Sequence, residues 1–304
     1  MKSTTIGLVQ TKVGNNIEAN VEKTVRLIKQ AAKKGAQIVC LQELFNIPYI
    51  PQKQGVRKDK YAESIPSATT TTMQKLAKKL GIVIIVPIYE KTKNGKYYNT
   101  AVVFNEKGKM LGKYHKVHIP HDPGFYEKNY FAKGEGGYKI FKTKFGTLAV
   151  LICYDQWFPE AARAVRLAGA EMIFYPTAIA DLIGYRIPAV TKAKVARRQS
   201  LWRRSAGKQS DWHDAWETIM RGHAIANSVV IAAVNRIGLE GKSKFWGQSF
   251  VCDAWGKILK RGSKDKEQII VQKVDLAYNK FLSEGWGFLQ NRRPETYKNI
   301  IKNV

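Results

Sequence analysis

Cysteine is scarce in this chain, and the scarcity excludes two classes of protein at once. Cys40, Cys153 and Cys252 are the only three in 304 residues, an odd number, far apart and without a Cys-x-x-Cys pair. A disulfide-stapled secreted scaffold and a structural zinc site both need paired or clustered thiols, so neither is expected, and a reducing, cytoplasmic location fits best. Long apolar runs are missing too. None approaches the ~20 residues that a spanning helix requires, and the opening MKSTTIGLVQ lacks the apolar core of a signal peptide. No membrane association is expected. Neither a low-complexity linker nor a fixed-period repeat divides the chain, which favours one domain over residues 1 to 304.

Acidic charge is the third shortage. Against 51 Lys and Arg stand 24 Asp and Glu, a formal charge of +27, and the sequence pI is near 9.9. Such a field draws polyanions whatever the fold, so non-specific nucleic-acid binding through positive charge stands beside the plainer reading of a solvated, lysine-rich surface. The excess is densest between Leu182 and Ser210, where Arg186, Lys192, Lys194, Arg197, Arg198, Arg203, Arg204 and Lys208 have no acidic neighbour. Interleaved with Val195, Leu201 and Trp202, this atypical basic segment fits a polyanion-binding face or a solvated insertion. No nucleic-acid-binding fold signature accompanies it.

What is present is a regular alternation of strand and helix patterns. Residues 4 to 10 form an opening strand, and a helix follows with Ile17, Val21, Val25 and Ile28 on one face until Gly35 stops it. A buried strand, Ala36 to Leu41, then delivers Glu43 to the mouth of a loop containing Pro48 and Pro51. Next come a helix over 69–80, a strand over 81–90 and a hairpin turning around Glu106 to Lys109, whose second strand ends at Lys116. The stretch 146–178 repeats the plan: strand Leu148 to Ile152, Cys153 at its end, a helix over 161–168, Gly169, and strand Met172 to Tyr175. A helix over 211–227, a strand from Val229 to Asn235, a hairpin within 246–260 and a strand over 269–275 complete the pattern. The class is α/β, with one core of strands covered by helices.

Three strand ends therefore present Glu43, Lys116 and Cys153. A thiol at an exposed strand-to-helix elbow is held on a sharp turn, with the Tyr154 backbone N–H and a helix N-terminus beside it to stabilise negative charge. Attack on an amide-like carbon also needs a group that takes the thiol proton and later protonates the leaving nitrogen, which a glutamate can do. A lysine near both favours the thiolate and binds the developing oxyanion. No metal and no cofactor is called for.

The motifs LQELFNIPY around Glu43, GKYHKVHIP around Lys116, LICYDQWFPEAAR around Cys153, and the later YPTA, HAIANSVVIAAVNRIG and FWGQSFVCDAWGKIL resemble those of the nitrilase superfamily of carbon–nitrogen hydrolases over nearly the whole chain. The resemblance implies a single-domain, four-layer αββα sandwich. It implies Glu43 as general base and later acid, Lys116 at the oxyanion, Cys153 as nucleophile, and Glu127, in FYEK, as a support for the lysine. Tyr49, Tyr154, Ala178 and Asp181 are the positions it implies for contact with substrate. HIPHDPGFYEK together with CYDQWFPEAAR resembles the branch acting on N-carbamoyl amines, with release of amine, CO2 and NH3 through a thioester-type intermediate. Two departures stand out. Tyr154 occupies a position where that branch usually has Trp, and ADLIGYRIPAVTK offers Asp181 as its one acid. An N-carbamoyl-amino-acid or ω-amidase-type hydrolase is therefore an alternative, and a basic assembly scaffold that binds polyanions is a second. The resemblance also implies a homo-oligomer built from dimers, with RRPETYKNI reaching across, and the helices over 161–168 and 212–226, each with apolar residues at helical spacing, are the candidate pairing face.

Overall fold

Strands that are apolar on both faces must be covered on both sides, and that requirement sets the architecture. The computed structural model describes residues 3–55, 58–183 and 211–302. The basic run from Arg186 to Lys208 lies outside the described residues. In chain order the strands are β1 (Ser3–Gln10), β2 (Ile38–Leu41), β3 (Val83–Lys91), β4 (Tyr97–Phe104), β5 (Met110–His115), β6 (Ile140–Thr143), β7 (Gly146–Val150), β8 (Met172–Pro176), β9 (Ala180–Leu182), β10 (Val230–Val234), β11 (Ile237–Glu240), β12 (Ser243–Trp246), β13 (Phe250–Cys252), β14 (Ile258–Arg261) and β15 (Gln268–Asp275). The helices are α1 (Ile17–Lys33), α2 (Ala68–Leu80), α3 (Pro159–Leu167), α4 (Asp211–Asn227) and α5 (Leu276–Trp286).

Two six-stranded sheets form, in the orders β15-β1-β2-β3-β4-β5 and β14-β13-β10-β8-β7-β6. Alternate residues of each strand serve different layers. Ile6, Leu8, Ile38, Cys40, Val83 and Ile85 face the second sheet, while Val9, Val39, Leu41, Ile84 and Val86 meet Ile28, Ala31, Met73 and Leu76 of α1 and α2. On the far side, Ala161, Ala162 and Val165 of α3 and Trp216, Met220 and Ala224 of α4 close over the second sheet. The result is the αββα sandwich, one body with a continuous core between the sheets. Parallel pairing of β1-β2-β3 and of β7-β8-β10 sends the carboxyl ends of β2 and β7 into the loops that bear Glu43 and Cys153. Because β4 and β5 continue the first sheet antiparallel, β5 ends on the same edge as β2, which delivers Lys116 there.

The elements differ from the sequence pattern in three places. The fully buried line of α1 is Asn20, Thr24, Ile28 and Ala31, whereas Ile17, Val21 and Val25 are only partly covered. Asn20 tolerates burial because its Nδ2 donates to the Gly14 and Asn46 carbonyls at 2.8 and 3.0 Å, tying α1 to the loop that follows Glu43. A small third sheet, β11-β12-β9, grows from the carboxyl ends of β8 and β10, in strands of three or four residues too short to announce themselves. Helix α5 follows β15 without a break, capped by Asp275, whose side chain accepts the Ala277 N–H at 2.9 Å, and ended by Gly287 in the left-handed conformation. Among the described residues no helix is long and apolar enough to cross a membrane.

Candidate active site

Two tight turns carry the reactive groups, and both hold a non-glycine residue in the left-handed region: Leu44 at φ 49° and Cys153 at φ 46°. Such conformations cost on the order of 1 kcal/mol or more and persist only where surrounding contacts over-determine them. At the first turn the contact is Arg236, fully buried just past β10. Its Nη2 donates to the Glu43 and Leu44 carbonyls at 2.6 and 2.9 Å, and its Nη1 pairs with Glu240 at 2.8 Å. A guanidinium suits the task because several N–H donors diverge in one plane. Glu240 also accepts the Tyr49 N–H at 2.7 Å, so the loop is gripped at both ends.

Within this frame lies a chain of buried charge. Lys116 Nζ donates to Glu43 Oε1 at 2.9 Å and to Glu127 Oε2 at 2.6 Å, and all three side chains are fully buried. Tyr49 Oη donates to Glu127 Oε1 at 2.8 Å, and Asn99 Nδ2 donates to Glu43 Oε1 at 2.7 Å. Glu43 Oε2 has no hydrogen-bond partner among the described residues. Two carboxylates around one ammonium leave a net negative charge out of water, which is expensive unless protons move. Burial works against the charged Lys116, but Glu127 and Glu43 outweigh it and hold the ammonium above its ordinary range. Burial pushes Glu127 up to about 7, with Lys116 opposing and Glu43 adding to the rise. Tyr49 and Phe125, Tyr130 and Phe131, with Phe245, pack around the cluster and keep water away.

The second turn presents the thiol. A 3-10 turn, Cys153–Trp157, runs from the end of β7 into α3, whose first residue is Pro159. Asp155 fixes it: Oδ2 accepts the Ile152 N–H at 2.9 Å and the Tyr114 hydroxyl at 2.8 Å, while Oδ1 accepts the His118 N–H at 2.9 Å. Tyr114 lies in β5 and His118 in the loop after Lys116, so one carboxylate joins the thiol turn to the lysine strand. Burial raises the Cys153 thiol well above its ordinary range, Glu43 raises it further, and Lys116 and a hydrogen bond from the Ala178 backbone lower it. The resting group is a thiol, and its proton needs an acceptor. With 7% of its surface accessible, Cys153 is reachable but not the exposed elbow expected.

Glu43, Lys116, Glu127, Tyr49, Cys153 and Ala178 are thus brought together. Tyr154 stands partly exposed at the rim, its ring 5.5 Å from that of Phe158. Asp181 is outside the charged chain: it lies in β9 opposite Lys244 of β12, where burial raises its carboxyl and Lys244 lowers it. Asn99, Asp155 and Arg236 are the buried polar residues of this centre to which sequence reasoning gave no role. Their signal was there, since each is polar within or beside an apolar strand, a placement that demands a partner.

The comparisons with known proteins agree with this geometry. The model of the carbon–nitrogen hydrolase family matches residues 5–281. An N-carbamoylputrescine amidase of Arabidopsis thaliana is 39% identical, covering 97% of this chain and 94% of the relative. A citrullinase of Francisella tularensis is 32% identical, covering 99% of each. The crystal structure of a carbon–nitrogen hydrolase from Helicobacter pylori superposes with a TM-score of 0.87 at 35% identity, covering 99% of each chain. A full-length match of sequence and fold, around a buried Glu–Lys–Cys centre, places the chain in the carbon–nitrogen hydrolase family, the nitrilase superfamily.

Proposed function

We propose that the protein hydrolyses the C–N bond of an N-carbamoyl amine, with N-carbamoylputrescine as the leading substrate and Cys153 as nucleophile. The observation that carries the mechanism is Glu43 Oε2, buried and without a partner on a carboxylate whose other oxygen is occupied twice. That oxygen takes the Cys153 proton as Sγ bonds to the ureido carbon, and the oxyanion is met by Lys116 Nζ and the Tyr154 N–H. Collapse breaks the bond to the terminal nitrogen, which leaves as ammonia with the proton from Glu43. An alkylcarbamoyl group remains on Sγ. Water then gives a proton to Glu43 and its hydroxyl to the carbon, the C–S bond breaks, the thiol regains the proton, and the released carbamate falls to amine and CO2. Glu127 and Tyr49 keep Lys116 in place, and Ala178 lends its backbone N–H to the sulfur.

The substrate class rests on the N-carbamoylputrescine amidase likeness over nearly the full chain. The citrullinase likeness supports a second reading, a ureido amino acid, and the shortage of acids after β9 agrees with it. Ammonia release from N-carbamoylputrescine, citrulline, N-carbamoyl-β-alanine and a dicarboxylate monoamide separates these. Highest kcat/KM on N-carbamoylputrescine supports the first reading, and preference for a carboxylate-bearing substrate replaces it. We further propose a cytoplasmic homo-oligomer built from dimers. Leu167 of α3, Ile225 of α4, and Ile300 and Ile301 near the carboxyl end are exposed apolar groups that a second copy would cover. Light scattering showing a monomer at micromolar concentration would refute it. Polyanion binding by the basic segment is a separate, sequence-blind property of the +27 charge.

A further inference from the structure

We infer that Asn99 is the positioning residue of the proton acceptor: it turns Glu43 so that one carboxylate oxygen stays free to face the thiol. The proposal rests on the hydrolytic mechanism proposed for Glu43 and Cys153. Asn99 lies in β4, opposite Tyr89 of β3, and shares its face with Ala101 and Val103, which belong to the core between the sheets. Asn99 is fully buried there, and of its carboxamide only Nδ2 has a partner among the described residues, Oδ1 having none, a placement that costs stability unless the residue serves the site. It serves two partners at once. Its side-chain Nδ2 donates to Glu43 Oε1 at 2.7 Å, and its backbone carbonyl accepts the Lys116 N–H at 2.9 Å. A single residue of the sheet thereby ties the base to the main chain of the lysine.

The consequence is geometric. Glu43 Oε1 receives Asn99 Nδ2 and Lys116 Nζ together, which fixes the carboxylate plane, and Oε2 is left without a partner. Lys116 alone holds the carboxylate by one contact about which it can pivot. A second donor on the same oxygen removes that pivot. Arg236 fixes the Glu43 main chain while Asn99 fixes its side chain, so the two act on different degrees of freedom. The one side-chain hydrogen bond of Asn99 among the described residues goes to Glu43, and it is through Glu43 that it acts.

The test is a cycle of wild type, Asn99→Ala, Glu43→Gln and the double variant, read by hydrolysis of N-carbamoylputrescine and by the rate of Cys153 alkylation with iodoacetamide. Asn99→Ala is expected to lower kcat on the order of 10- to 100-fold, the worth of one charge-assisted hydrogen bond, with KM changed less than about threefold. In the Glu43→Gln background the same substitution is expected to alter alkylation less than about twofold, because the group through which Asn99 acts is gone. An equal effect in both backgrounds would make Asn99 a packing residue and overturn the proposal, as would wild-type kcat in Asn99→Ala. Wild-type turnover by Glu43→Gln would instead overturn the mechanism on which the proposal rests. Asn99→Leu, which keeps roughly the volume and removes the amide donor without adding charge, is carried through the same cycle should the alanine variant fail to fold.

Discussion

Glu127→Gln gives the sharpest test of the buried charge chain. The substitution keeps the shape of the side chain and an oxygen to accept the Tyr49 hydroxyl, but it removes the titration of a carboxyl that burial pushes from 4.5 up to about 7. The sign follows from proton binding. Between those values the native state holds a proton that the unfolded chain has released, so the native state binds more protons and wild-type stability falls as pH rises. The effect is absent below the unfolded value and complete above about 7. At ~1.36 kcal/mol for each pH unit between the two values, the carboxyl costs the native state about 3 kcal/mol at full ionisation. Glutamine carries no such penalty. Urea titrations of both proteins at about pH 4.5 and about pH 8 should therefore show the variant gaining roughly 3 kcal/mol on wild type at the higher pH. Turnover should fall in the variant, because Lys116 loses one of the two carboxylates that hold it. Parallel stability profiles would refute the reasoning, for they would mean that Glu127 is ionised throughout or not buried in the native state.

Cys153→Ala should abolish turnover while leaving the urea midpoint close to wild type, since removing one sulfur from a turn held by Asp155 leaves its hydrogen bonds intact; appreciable residual activity would end the nucleophile assignment. Iodoacetamide should label Cys153 before Cys40 or Cys252, both of which are wholly inaccessible, as peptide mass mapping would show. Arg236→Met should destabilise by about 3–5 kcal/mol, because it leaves Glu240 and the Glu43 and Leu44 carbonyls without their partner in the interior, and urea titration measures the difference. Neutralising Arg197, Arg198, Arg203 and Arg204 together should weaken DNA binding without changing amidase turnover. Its log–log salt slope should become shallower by about 0.9 for each duplex phosphate that those arginines neutralise in the wild type.

The layers and most strands were legible in the sequence because β1, β2, β3, β7, β8 and β10 are apolar on both faces. Such strands can only sit between covering layers. Glu43 and Cys153 were legible for a related reason: each follows an apolar strand, where a polar side chain emerges at the sheet edge, whereas Lys116 follows the mixed strand β5 and was marked by its hairpin pattern. Glu127 was not, since the sequence places it in a loop among other polar residues, and only the family resemblance singled it out. Asn99 and Arg236 show a different limit. A buried polar residue in an apolar stretch demands a partner, but the partner is chosen by the approach of distant strands, which no local pattern encodes. The buried line of α1 ran through Asn20 and Thr24 because the Gly14 carbonyl and, from the Glu43 loop, the Asn46 carbonyl satisfy Asn20, the latter again a tertiary fact. The short strands of the third sheet were lost because three or four residues carry too little periodicity.

Intact-mass spectrometry of the enzyme during turnover tests the central claim most directly. Rapid acid quenching of wild type mixed with N-carbamoylputrescine should trap a species heavier by one substrate molecule less ammonia, and peptide mapping should place the added group on Cys153. In Glu43→Gln it should form slowly or not at all. Turnover with no covalent species on Cys153 when hydrolysis of the thioester-type intermediate is made rate-limiting, or an adduct on another residue, would contradict the account.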